Sequence, residues 1–256
     1  MEFAKLNEKE LLSAVRYQSD QFIPMPIDEV VLDIEVLSTD KATNKNKILI
    51  VASPKKTVDR VEKTAEMVGL VPSSLENDLS SFGRFFSEVV KPKGTGSYLV
   101  INIGYGSSSI YLVDSQSYLI LLTRTVKIGY ELFLKELKFN LELPDTKAIE
   151  VLKTVGFEKN SSYDIASIVS PIMQELTNEI GKFFVQAKDK FALPVSKIYL
   201  YNAASSIHGI EKKITESTGL PVELLYLREL LVNNPVSQSF SLSLPEYISA
   251  IAACIR

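Results

Sequence analysis

Residues 101–113 read INIGYGSSSIYLV, and the reading of this run decides the fold. An apolar strand that begins at SYLV, residues 97–100, enters a Gly104-Tyr105-Gly106 turn; three serines follow, and SIYLV leaves as a second alternating strand. A glycine turn of this kind brings backbone N–H groups close to an anion, so the pattern has the build of a phosphate-gripping hairpin. Asn102 stands where a magnesium nucleotide would want an acid, because hard cations take charged oxygen ligands. The same residues also suit a plain hairpin with no ligand.

Outward from this hairpin the chain is punctuated clearly. KPKGTGS, residues 91–97, combines Pro, two Gly and two Lys and is the predicted domain boundary. Strands are predicted over 98–104, 109–113 and 118–126, helices over 130–140 and from Pro144. A long helix is predicted over 164–191, where Ile168, Ile172, Leu176, Ile180, Phe183 and Phe184 keep one face. Upstream, Asn7 caps a helix reaching Phe22, with Glu10 completing a capping box, and the chain breaks at Pro24 and Pro26. VVLDIEVL, residues 30–37, reads as a half-exposed strand, STDKATNKNK as its turn, and KILIVAS, residues 47–53, as a more buried return. Pro54 opens a helix closed by Gly69, and a short helix covers 79–90. Near the end, SKIYLYNAA, IHGIEKKITEST and Gly219-Leu220-Pro221 repeat a strand, helix, Gly-Leu grammar already used around VEKTAEMVGLVP. Such units predict α/β sheets with helices on their faces, in two related lobes.

Composition removes several classes. Lys and Arg number 28 against 31 Asp and Glu, for a net charge of −3, and no dense basic run occurs. The counterion-release term that drives nucleic-acid binding has no source here, so no nucleic-acid partner is expected. A single cysteine, Cys254, and a single histidine, His208, exclude a disulfide framework and leave too few soft ligands for structural zinc. The start, MEFAKLNEKELL, carries acids and no unbroken apolar run, and no stretch reaches the roughly 20 apolar residues needed to span a bilayer. The expectation is a cytoplasmic protein, peripheral to a membrane through a protein partner. Of the other candidate groups, His208 reads as a surface or cap residue, with Ser205 or Ser206 as N-cap of the helix that follows. Glu175 and Glu179 read as a solvated face, and Cys254, among Ile251, Ala252, Ala253 and Ile255, as a buried apolar residue.

The order of pieces resembles the type IV pilus assembly PilM family, actin-like relatives of the cell-division protein FtsA. The resemblance is carried by VRYQSDQFIPMPIDEVVLDIEVL, KILIVASPKKTVDRVEKTAEMVGLVPSSLE, INIGYGSSSIYLV, RTVKIGYELFLKEL, KIYLYNAASSIHGIEKKI and YISAIAACIR. It spans residues 7–256, and its most specific parts are the Ile-Pro-x-Pro-x-Asp-Glu-Val segment at Ile23 to Val30 and the Ile128-Gly129 pair. It implies a two-lobed actin-like α/β fold. A small subdomain over about residues 14–70 would lie in a first part, 1–95; the second lobe, 96–256, would carry a helical insertion over about 130–192 and a last helix returning to the first lobe. The family's first phosphate hairpin has no counterpart in this chain.

The resemblance also implies a nucleotide held between two hairpins and a Gly-Gly turn under its adenosine. The matching positions are Asn102, Gly104, Gly106, Ser107 and Ser108 in the hairpin, and Asn202, Ala203 and Ala204 where the pattern has glycines. With the acid gone and Cβ atoms intruding under the base, the site is expected to be degenerate, with no catalytic residue, no metal site and no cofactor in this chain. ATP with magnesium would belong to a longer form. In the family the small subdomain receives the N-terminal cytoplasmic peptide of a membrane protein, PilN, and Arg16, Tyr17, Gln21 and Phe22 are the expected groove residues. Pilus motor ATPases would be indirect partners, and a homo-oligomer is admitted. The alternative reading is an ATPase or kinase of the same superfold, since fold alone does not fix function.

Overall fold

The computed structural model describes residues 1–158, 164–225, 235–239 and 244–255; Arg256, the last residue of the family resemblance, lies outside them. The chain forms two compact units, Met1–Leu75 and Glu76–Arg256. In the first, β1 (Glu2–Ala4), α1 (Glu8–Tyr17), β2 (Val30–Asp40), β3 (Lys45–Pro54) and α2 (Lys55–Met67) follow in order, and the antiparallel sheet runs β1-β3-β2. The predicted capping box forms: Glu10 N–H donates to Asn7 Oδ1 at 3.0 Å and Asn7 N–H to Glu10 Oε2 at 3.1 Å. Phe3, Leu11, Val15 and Ile48 make a small core, with Phe22, Leu32, Ile34 and Ile50 partly buried around it.

Three expectations change in this unit. Helix α1 stops at Tyr17, and the rest of its predicted length is a 3₁₀ turn at Ser19–Gln21, anchored by Ser19 Oγ donating to the Arg16 carbonyl. The polar tract is mostly strand: Thr39 Oγ1 donates to Asn46 Oδ1 at 2.8 Å across β2 and β3, leaving a short turn that Asp40 closes through Ala42 N–H and Thr43 Oγ1. The return over residues 47–53 is more buried than residues 30–37, as read, with Ile48 buried and Leu49, Ile50 and Val51 partly so. After Gly69 the chain forms no strand before the second unit, so the earlier strand-helix-strand repeat is absent.

The second unit begins with α3 (Asp78–Phe85), which runs into a π turn at Phe86–Val90. Then come β4 (Ser97–Ile103), β5 (Ser108–Asp114), β6 (Ile120–Val126), α4 (Tyr130–Leu141), α5 (Asp145–Thr154), α6 (Ile165–Phe191) and β7 (Val195–Tyr201). The elements α7 (Ile210–Thr218), β8 (Val222–Leu224), α8 (Pro235–Ser239) and α9 (Ile248–Cys254) complete it. The sheet order is β6-β5-β4-β7-β8; β4, β5 and β6 are antiparallel, and β7 and β8 are parallel to β4. The β7-α7-β8 unit is the one that SKIYLYNAA and the Gly219 stop predicted.

Both sheet faces are covered, which is why β4 is buried along its whole length. Leu99, Ile101, Ile103, Ile110 and Leu112 pack with α4, α5, α6 and α7 through Phe133, Leu152, Leu176, Ile180, Phe183 and Ile214. The opposite face is aromatic: Phe82, Phe85 and Phe86 meet Tyr98, Tyr111, Tyr199 and Tyr201, closed by Ile248 and Ala252 of α9. Arg84 ties the two helices of this face, donating Nε to the Ile255 carbonyl and both terminal nitrogens to Glu76 at 2.6 Å. The division of the chain therefore falls between Leu75 and Glu76, upstream of the predicted linker, because the Phe-rich helix α3 shares its core with β4, β5 and β7. Cys254 is exposed, contrary to the reading, since α9 turns only Ile248 and Ala252 fully inward. Glu179 is not a free solvated acid: it pairs with Arg124 at 2.6 Å and Lys182, and the hydrogen bond from Lys182 holds its carboxyl below the usual range.

Candidate functional site

The turn after β4 is built by the backbone. Gly104 N–H donates to the Ser107 carbonyl at 3.0 Å, and the first two amides of α4, Tyr130 and Glu131, donate to the carbonyls of Gly104 and Tyr105 at 2.9 and 2.8 Å. A helix start leaves N–H groups in need of acceptors, and here the turn supplies them. The closeness requires Gly129: a Cβ there would lie 2.6 Å from Ser107 N and 2.7 Å from Gly106 C. The amides of Tyr105, Gly106 and Ser107 have no acceptor among the described residues, and all three residues are exposed. Ser108 departs from its expected role, being buried and donating its hydroxyl to the Ile128 carbonyl.

Asn102 is also occupied. Its Nδ2 donates to Asp78 Oδ2 at 2.8 Å, its Oδ1 accepts from Asn202 Nδ2 at 2.8 Å, and Tyr111 OH reaches Asp78 Oδ2 at 3.3 Å. The Ala203 N–H donates to Asn202 Oδ1 at 2.8 Å, so acceptor and donor at the two ends fix both amide orientations. Sequence reasoning missed Asp78. Placed just after the cap Asn77 in NDLS, it reads as an ordinary first-turn acid, and only the packing of α3 on the sheet brings it to Asn102.

Asn202 holds φ 78 and ψ −166, a region that glycine alone enters freely. Its neighbours hold it there: Asn202 N–H donates to the Pro245 carbonyl at 2.7 Å, while Ser205 donates both N–H and Oγ to the Asn202 carbonyl. An asparagine here thus holds a backbone conformation of the kind that favours glycine. Ala204 is fully buried in the core and Ala203 packs against it, so the Ala204 methyl does not stand in an open site as expected. Ser205 and Ser206 lie in a 3₁₀ turn, Ala203–Ser206, and do not cap α7, whose N-cap is Gly209. His208 is surface-placed, 3.7 Å from Glu158. Its backbone joins the end of α5 through Leu152 O and Phe157 N.

Among the described residues no group of three or more His, Cys, Asp or Glu is placed to hold a metal ion. Asn102→Asp, the substitution that would restore the missing acid, would set a second carboxylate against Asp78. It is expected to cost about 1–3 kcal/mol, since a charge-assisted hydrogen bond becomes a repulsion. An unchanged urea midpoint would show that the two side chains do not meet.

On the first unit, Arg16 and Tyr17 are exposed at the end of α1, Tyr17 at 90%, and Gln21 is exposed in the turn that follows. Phe22 is different, half-buried against the small core.

The five-stranded sheet with helices on one face and an aromatic layer on the other defines an actin-like α/β protein. Solved structures agree: MreB5 of Spiroplasma citri matches at TM-score 0.56 with AMPPNP bound (11% identity, 78% of this chain, 64% of that one). With ADP bound it matches at 0.51 (12% identity, 78% and 67%). A PilM-PilN type IV pilus biogenesis complex matches more fully, at TM-score 0.83 and 23% identity over 98% of this chain and 73% of that one. The model of the type IV pilus assembly protein PilM family matches residues 2–256, and the chain belongs to that family. No helix among the described residues is long and apolar enough to cross a membrane.

Proposed function

We propose that this chain is a cytoplasmic adaptor of the type IV pilus inner-membrane platform that captures the N-terminal tail of a PilN-type membrane protein, with a nucleotide site too altered for turnover. The observation that carries this reading is the exposed aromatic Tyr17, with Arg16 and Gln21 exposed as well, in a chain whose fold matches that of a PilM-PilN complex. Tyr and Arg are residues enriched in protein interfaces and at their anchor positions. Indirect coupling to the assembly motors follows from a place on that platform. Tyr17→Ala is expected to weaken capture of the PilN-type peptide by about 1–2 kcal/mol in calorimetry, with folding unchanged. Phe22→Ala is a poorer probe, because its ring also belongs to the core. Failure of the folded chain to retain the peptide would remove the adaptor reading.

For the nucleotide site we expect no tight binding of ATP with magnesium. Asn102 and Asn202 carry no charge for the cation and each is held by a neighbour. A micromolar dissociation constant, about −8 kcal/mol, would overturn this. The ATPase alternative draws support from one observation, the Asp78 carboxylate beside Asn102; steady hydrolysis that disappears in Asp78→Asn would establish it.

A further inference from the structure

One run of large apolar side chains lies in water. Met67, Val68, Leu70, Val71 and Leu75 fall close together at the end of the first unit and are 45% to 89% exposed. The run they occupy, MVGLVPSSL at residues 67–75, carries no charge, whereas α2 just before it is rich in charge and buries no residue. Beyond the left-handed Gly69 the run forms neither helix nor strand, and the N–H groups of Val71, Ser74 and Leu75 donate to no described residue.

The second unit shows what such a run does where a sheet edge is open. There α7 ends at Gly219 with φ 71, against φ 77 at Gly69, and Leu220-Pro221 leads into β8, which pairs with β7. The chain after α2 has the same order of pieces, but β3 is already flanked by β1 and β2, so no edge beside it is left to take a strand. Side chains and main chain are thus both unpartnered over one uncharged segment. Single exposed apolar residues are ordinary; five in one short segment mark an interaction surface.

We propose that residues 67–75 form a two-fold interface with the same residues of a second copy of this chain, the two segments running antiparallel with Val71 opposite its own counterpart. A two-fold contact sets residues near the axis against themselves, so a charged segment would repel its copy. This one has no charge to repel. Val71 stands at the middle of the run and is the most exposed of its apolar residues. Its N–H and carbonyl can exchange a pair of hydrogen bonds with the second Val71, and that register turns Pro72, which has no N–H to offer, to the outer edge. Taking all five side chains out of water on both copies would bury about 1,200 Å², the lower bound of a specific protein interface. The dimer is therefore reversible, with a dissociation constant of roughly 10 µM. It depends on neither peptide capture nor the nucleotide site.

The test is sedimentation velocity of the full chain over a concentration series on both sides of that value. The unmodified chain is expected to pass from monomer to dimer across the series. Val71→Asp and Val71→Lys, each checked for folding by circular dichroism, should stay monomeric, because each sets two like charges together at the axis. Mixed in equal amounts they should form a heterodimer at least about tenfold tighter than either forms with itself. Phe139→Asp, at an exposed ring of the second unit, should leave the dimer unchanged. An unmodified chain that stays monomeric throughout would overturn the proposal, and so would a dimer that persists in both Val71 variants. Loss of the dimer in both with no recovery on mixing would overturn the register at Val71. Open-ended assembly in place of a dimer would overturn the two-fold symmetry.

Discussion

Replacing Phe82 by alanine should lower stability by about 3–5 kcal/mol, the range for a buried aromatic truncated in a well-packed core. The ring is fully buried and lies almost parallel to Tyr201, with centroids 4.8 Å apart and planes 5° apart. Phe86 and Tyr111 are each 5.5 Å away and Phe85 is 6.3 Å away. No backbone shift fills that void, because its walls are rings fixed to two different strands and one helix. The loss is not confined to stability. Asp78 sits one helical turn before Phe82, so loosening α3 also frees the carboxylate that orients Asn102. Chemical denaturation gives the first effect, and the Asn102 side-chain amide shift gives the second. A cost below about 1 kcal/mol would mean that α3 does not pack as described.

The second large effect is expected at Gly129. Its backbone is extended, with φ −139 and ψ 179, so conformational freedom is not what the position needs. It needs the absence of a side chain. An added Cβ would press on Gly106 C and Ser107 N at 2.7 and 2.6 Å, and more closely still on the Tyr105 carbonyl oxygen. These are backbone atoms of a turn already fixed by the Gly104 N–H to Ser107 O bond and cannot swing aside. Gly129→Ala is therefore expected to cost about 3 kcal/mol, the upper part of the range for overpacking. It should also raise amide exchange at Tyr130 and Glu131, whose acceptors move with the turn. Gly106→Ala is the control, since a Cβ there meets nothing within 4 Å. Equal stability of the two variants would show that the turn and the start of α4 are not in contact.

These two positions show what the sequence made legible and what it did not. Ile128-Gly129 stands out in a reading of the chain, but its reason is a contact between a helix start and a hairpin that no local pattern encodes. The hairpin, the capping box at Asn7 and the Gly219 stop are short-range events, fixed by neighbours a few residues apart, and they could be read directly. Asp78 could not, because its meaning depends on a bond to a residue 24 positions away. The domain boundary was misplaced for a related reason. KPKGTGS has the composition of a linker, yet Phe82, Phe85 and Phe86 before it are core residues of the unit that follows. At Asn202 the resemblance implied a glycine replaced, whereas the glycine-type backbone angle and the bond to Asn102 needed coordinates.

The Arg84 tie carries a consequence for biosynthesis. Its guanidinium joins α3 to the carbonyl of Ile255, 171 residues further along the chain, and Ile248 and Ala252 complete the aromatic face that α3 begins. At roughly 5–20 residues per second, a ribosome needs about 10–30 s to deliver that closing helix. For that interval the rings of Phe82, Phe85 and Phe86 have a sheet to adhere to but no roof. The nascent chain thus presents an oily surface that invites trigger-type chaperones or misassociation with neighbouring polysomes, and release from that hazard comes only when α9 clears the exit tunnel.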